Sequence, residues 1–113
     1  MIVSAIVLLS IAALLGVFLL SFVLRGKATP KAIAFTHGPL AAAGLVLLVI
    51  YTVQNSPAPI ASLLLFVIAA AGGFVLITLD LTRTAVPGWL AVLHGLIALA
   101  GLIVLSGFAL GFN

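Results

Sequence analysis

Long apolar runs separated by short polar punctuation organise this chain. Residues 2–24, 31–53, 59–81 and 87–110 are almost free of charge, and the stretches 25–30, 54–58 and 82–86 between them collect basic, proline and small polar residues. Each run is close to the ~20 residues that a helix needs to cross the hydrocarbon of a bilayer. The runs are continuous rather than alternating, which predicts helices and not the strands of a membrane barrel. Links this short favour antiparallel neighbours. The expected fold is an all-α membrane protein: one domain, residues 1–113, forming an up-down-up-down bundle of four transmembrane helices.

The same pattern is written twice. Sliding the chain over itself by 57 residues, without gaps, matches Ile11-Ala12-Ala13 to Ile68-Ala69-Ala70, Gly16 to Gly73 and Pro30 to Pro87. It also matches His37-Gly38 to His94-Gly95, Ala41 to Ala98 and Ala43-Gly44-Leu45 to Ala100-Gly101-Leu102. Leucine and alanine matches are cheap in apolar sequence, whereas the proline, histidine and glycine coincidences are not. Two parallel two-helix repeats, 4–51 and 61–108, are therefore expected, related by an axis along the membrane normal because each holds an even number of spans.

Composition narrows the function classes. With 66% hydrophobic residues, four Lys or Arg and a single acidic residue, the chain cannot cover a soluble domain with polar surface. The absence of cysteine excludes disulfides, thiolate ligands and iron–sulfur clusters. No basic segment precedes the first run, so a cleaved signal peptide is not expected. Arg25, Lys27, Lys31 and Arg83 fall in or beside the first and third links. The positive-inside rule then places loops 25–31 and 82–87 in the cytoplasm and both termini outside, periplasmic in a bacterial inner membrane. The basic balance reports topology, not nucleic-acid binding. Trp89 and Tyr51 suit opposite interfacial belts.

An ionisable side chain inside a span is costly and points to function. His37 and His94, the two histidines of the chain, each lie seven residues past Pro30 and Pro87, which are expected in the first turns of helices 2 and 4. That is ~10 Å inside the cytoplasmic end at 1.5 Å per residue. In a square bundle helices 2 and 4 face each other across a diagonal of about 12–14 Å, given neighbouring axes 8–10 Å apart. The gap suits imidazole–metal–imidazole coordination. Zinc would need four ligands and copper a nearer methionine than Met1. Haem needs only two axial ligands, and covalent attachment is excluded without Cys-x-x-Cys-His, so one bis-histidine haem b is expected, with no zinc.

The flanking residues make room in this reading. Ala41 and Gly44 continue the His37 face, and Ala98 and Gly101 that of His94, at i+4 and i+7. Gly16 and Gly73 stand at histidine depth, where a macrocycle edge would press. Ala12-xxx-Gly16 and Ala69-xxx-Gly73 are also small-xxx-small patterns, and helix packing explains those glycines more simply. A ligating imidazole needs an acceptor for its other N–H. Pro39 frees the carbonyl of Phe35 beside His37 for that purpose. Arg25 and Arg83, with the lysines, are placed to pair haem propionates. Asp80 and Arg83 form an expected i,i+3 ion pair.

In its His-Gly helices and bundle, the chain resembles small membrane b-type cytochromes and the haem-carrying anchor subunits of quinone-linked dehydrogenases. The resemblance covers architecture and the histidine pair. It implies an electron-transfer subunit rather than a catalyst on its own, exchanging electrons with a quinone or a partner redox protein. Two-haem four-helix cytochromes carry two histidine pairs at two depths; this chain has one. The alternative is a haem-free structural or assembly subunit whose histidines bond to carbonyls. A small transporter ranks last, because the first span lacks the carboxylate on which small multidrug resistance transporters depend. A protein partner or homo-oligomer within the lipid bilayer is expected in either leading case.

Overall fold

A computed structural model describes residues 1–112 and contains four helices: α1 (Ile2–Leu24), α2 (Lys31–Gln54), α3 (Ile60–Leu81) and α4 (Gly88–Ala109). All four are long and apolar enough to span a membrane. Together with the apolar side chains that they turn outward, such as Leu14, Phe74 and Leu96, this makes the chain an integral membrane protein.

Prolines set three of the helix starts. Pro30, Pro59 and Pro87 are N-caps, with φ of −67°, −80° and −64° but non-helical ψ of 115°, 63° and 127°. Pro30 and Pro87 thus stand just outside the first turns in which the sequence pattern places them, and α4 begins and ends one residue inside the expected run. Each ring still fixes φ where the missing N–H has no helical partner to lose.

Helix ends are closed by one repeated device. At the end of α1, Lys27 N–H bonds to Phe22 O at 2.9 Å and Gly26 N–H to Val23 O at 3.0 Å, with Gly26 at φ +66°. At the end of α3, Thr84 N–H bonds to Leu79 O at 2.9 Å and Arg83 N–H to Asp80 O at 3.2 Å, with Arg83 at φ +57°. These are Schellman closures, which satisfy the last free carbonyls by passing through a left-handed residue. Glycine is the low-cost residue there; arginine is not. At the end of α2, the Asn55 side-chain amide bonds instead to Tyr51 O at 2.9 Å, and Pro57 and Pro59 follow.

The helices pack in cyclic order: α1 lies against α2 and α4, and α3 against α4 and α2. The backbones of α2 and α4, and those of α1 and α3, do not approach closely, so those pairs occupy opposite corners. The closely packed core, Ala5, Leu9, Leu48, Phe66 and Leu105, sits in the half of the bundle away from the basic loops. Three hydroxyls within the spans bond to carbonyls one turn back: Thr36 to Ala32 O, Thr52 to Leu48 O, and the fully buried Ser62 to Pro59 O. In lipid no water could serve them.

Candidate functional site: a matched histidine pair

The imidazole of His37 crosses from α2 to α1, where its Nδ1 lies 2.7 Å from the carbonyl oxygen of Ala12. The imidazole of His94 crosses from α4 to α3, where its Nδ1 lies 2.7 Å from the carbonyl oxygen of Ala69. Both donor and acceptor of the second bond lie 57 residues beyond those of the first. A carbonyl oxygen can only accept, so both Nδ1 atoms carry the proton. In the neutral imidazole the lone pair is then at Nε2.

Glycine makes this approach feasible. A Cβ on Gly16 would stand 3.1 Å from His37 Cε1, and one on Gly73 would stand 3.2 Å from His94 Cε1. Each glycine lies one turn after the alanine whose carbonyl accepts the bond, so the ring rests in a notch of the neighbouring helix and reaches the backbone across it. Gly72 adds to the second notch, where a Cβ would be 3.6 Å from His94 Nδ1. Gly16 and Gly73 therefore receive the imidazoles themselves, and in this structure the small-xxx-small pattern serves a side chain as much as a helix crossing.

From these two notches the rings meet. Their centroids are 6.4 Å apart and their planes cross at 83°. Two imidazoles on opposite sides of one metal ion have centroids about 6.3 Å apart, taking metal–nitrogen bonds of ~2.0–2.1 Å and about 1.1 Å from nitrogen to ring centre. Rotation about the bond axis is free in such an arrangement, so crossed planes are compatible with it. Two imidazoles with Nδ1 anchored on a backbone carbonyl and ring centroids 6.4 Å apart are thus the donor set that the site offers.

The other expected contributors are placed differently. A Cβ on Gly44 would lie 2.7 Å from Leu9 Cγ, and one on Gly101 3.2 Å from Phe66 Cδ2, so large side chains of α1 and α3 already fill the space beside both glycines. They belong to the core and not to an open face next to the histidines. Ala41 and Ala98 are partly exposed on the turn between. The acceptor for His37 is Ala12 O rather than Phe35 O, because the ring leans across to α1 instead of lying along its own helix.

Arg25 bonds to Ser21 O at 2.9 Å and lies 4.8 Å over the Phe22 ring. Asp80 pairs with Lys31 at 2.9 Å, and its Oδ2 also accepts from the Thr29 hydroxyl at 2.6 Å. The expected Asp80–Arg83 pair does not form. Arg83 lies beyond the last helical residue in a left-handed conformation, which rotates it off the face that Asp80 occupies. Asp80 instead ties the end of α3 to the start of α2.

Two clefts open at the ends of the bundle. One, of about 300 Å³, is lined by Pro57, Pro59, Val104 and Phe108 among others. The other, of about 670 Å³, lies between the first and third loops and is lined by Lys27, Thr29, Lys31, Asp80, Arg83 and Thr84, with Val23, Leu81 and Val86 beneath. Neither touches a histidine.

Compared with known proteins, the chain matches no family model, no curated protein and no solved structure. The functional reading therefore rests on the geometry of its own residues.

Proposed function

We propose that this protein is a membrane b-type cytochrome subunit that holds one haem b between His37 on α2 and His94 on α4. The observation that carries the reading is the pair of matched Nδ1–carbonyl bonds, which orient two Nε2 lone pairs on rings 6.4 Å apart. Ligating histidines characteristically donate their second N–H to such an acceptor, which fixes tautomer and ring direction. The haem would supply reversible one-electron chemistry. His37 and His94 would hold the group through their imidazoles, and electron transfer is the chemistry that a haem held by two histidines would supply there. Ala12 and Ala69 hold the rings through their carbonyls, and Gly16 and Gly73 let them approach. A quinone or a redox protein would be the exchange partner.

The bundle reading belongs to the same proposal. Contacts of Leu9 with Gly44 and of Ala12 with His37 support spans that alternate up and down, and their counterparts 57 residues later support two parallel repeats. The basic loops then face the cytoplasm and both termini the opposite side.

Absorption spectroscopy of the purified full chain, oxidised and reduced after haem-replete expression, tests this. A low-spin b-type spectrum is expected, lost in His37→Ala and in His94→Ala while circular dichroism shows that the helices remain. A colourless, folded wild-type protein would overturn the assignment. A second reading would then stand, that of a haem-free subunit whose histidines tie helices together, since each ring already has a backbone partner.

A further inference from the structure

The cleft between the first and third loops has features that the histidine site does not use. Lys27, Lys31 and Arg83 reach it from two loops, and the hydroxyl-bearing residues Thr29 and Thr84 line it with them. Asp80 is the chain's one acidic residue, and its carboxylate is already engaged by Lys31 and Thr29. Lys27 and Arg83 thus have no carboxylate partner among the described residues, and the cleft carries net positive charge. Val23, Leu81 and Val86 line the same cleft where the spans end, so its chemistry changes from apolar to cationic across the position of a lipid's acyl–headgroup junction.

Arg83 sharpens the point. It stands at φ +57° in a closure whose counterparts at the ends of α1 and α4 use Gly26 and Gly111, at φ +66° and +91°. A guanidinium occupies a backbone position better suited to glycine, and it lines this cleft. Residues held in costly conformations concentrate where a side chain has a task.

We infer that the cleft binds a phosphate group presented at the membrane surface by an anionic phospholipid. Lys27 and Arg83 are the principal ligands, with Lys31 orienting from its pair with Asp80. Basic pockets at the ends of transmembrane helices suit such headgroups, and a guanidinium can hold a phosphate through two parallel hydrogen bonds. The inference is independent of whether a haem is bound.

Native mass spectrometry of the full chain in detergent, titrated with phosphatidylglycerol or phosphatidylcholine, tests it. Phosphatidylglycerol should be retained by the wild type, and retention should fall on the order of tenfold or more in Lys27→Ala/Arg83→Gly, which removes two cations and relaxes the backbone. Arg25→Ala removes an equal charge per site from the same loop, but from a side chain committed to Ser21 and Phe22 outside the cleft, and should retain the lipid. Lys27→Arg should do so too. Equal loss in Arg25→Ala and Lys27→Ala would overturn the inference by showing charge attraction without a site. Equal retention of phosphatidylcholine would overturn it as well. Saturation by millimolar inorganic phosphate with no lipid retained would overturn the lipid as the source of the phosphate.

Discussion

Gly16→Ala is the substitution that the histidine notch makes most informative. The new Cβ would lie 3.1 Å from His37 Cε1. Carbon atoms pack at about 3.5–4.0 Å, so the ring must retreat by about 0.4–0.9 Å. It is held at 2.7 Å from Ala12 O, and that retreat takes the hydrogen bond toward the limit of useful geometry. Interhelical hydrogen bonds in membranes contribute about 0.6 kcal/mol on average and about 1.7 at most. Replacing a helical glycine by alanine gains about 0.5–1 kcal/mol. Gly95, one residue from the equivalent His94, supplies the reference, since a Cβ there meets nothing within 4 Å and no proline follows it. Gly95→Ala should therefore stabilise the protein by about 0.5–1 kcal/mol, and Gly16→Ala should fall below it by about 0.6–1.7 kcal/mol. Gly73→Ala should repeat the result, because its Cβ would stand 3.2 Å from His94 Cε1. Unfolding titrations in mixed micelles give the free energies, and nitrogen NMR of labelled histidine reads the Nδ1–H tautomer directly. Equal stabilisation by Gly16→Ala and Gly95→Ala, with the tautomer signal unchanged, would refute the notch.

Two further outcomes concern the scaffold. Gly44→Ala would set a Cβ 2.7 Å from Leu9 Cγ and 3.3 Å from the Leu9 backbone nitrogen, where the neighbour cannot give way freely. The substitution should cost about 1–3 kcal/mol in the same titration. Arg83→Gly should stabilise the folded chain by about 1 kcal/mol by removing a left-handed arginine, while weakening retention of phosphatidylglycerol. A destabilised Arg83→Gly would show that the side chain holds the loop itself.

The four helices were legible in the sequence because a bilayer leaves the backbone few options, and continuous apolar runs of helical length leave little else to choose. The ends differed by a residue or so because Pro30, Pro59 and Pro87 fix φ while their ψ stays outside the helix. The two histidines were visible as a pair from the ungapped repeat. What held them was not. Every residue carries a carbonyl, so nothing in the letters singles out Ala12 or Ala69; the repeated Ala-xxx-Gly spacing was the available signal, and it also describes ordinary helix packing. Gly44 and Gly101 share the histidine faces by periodicity, but one helix's sequence does not say that its neighbour brings Leu9 or Phe66 to that depth. Asp80 and Arg83 were close in sequence and on one helical phase until the left-handed turn at Arg83 broke it, leaving Lys31, 49 residues away, as the partner.

Each histidine is anchored on the helix that precedes its own, His37 to α1 and His94 to α3, and the packing within α1–α2 and α3–α4 is more extensive than the packing between these two pairs. The position of each imidazole is thus set within one helix pair, and the distance between the rings is set by how the two pairs meet. A group held between the histidines, as proposed, would bridge the two pairs and act as a latch on their association, and its loss would leave two helix pairs joined by the weaker contacts.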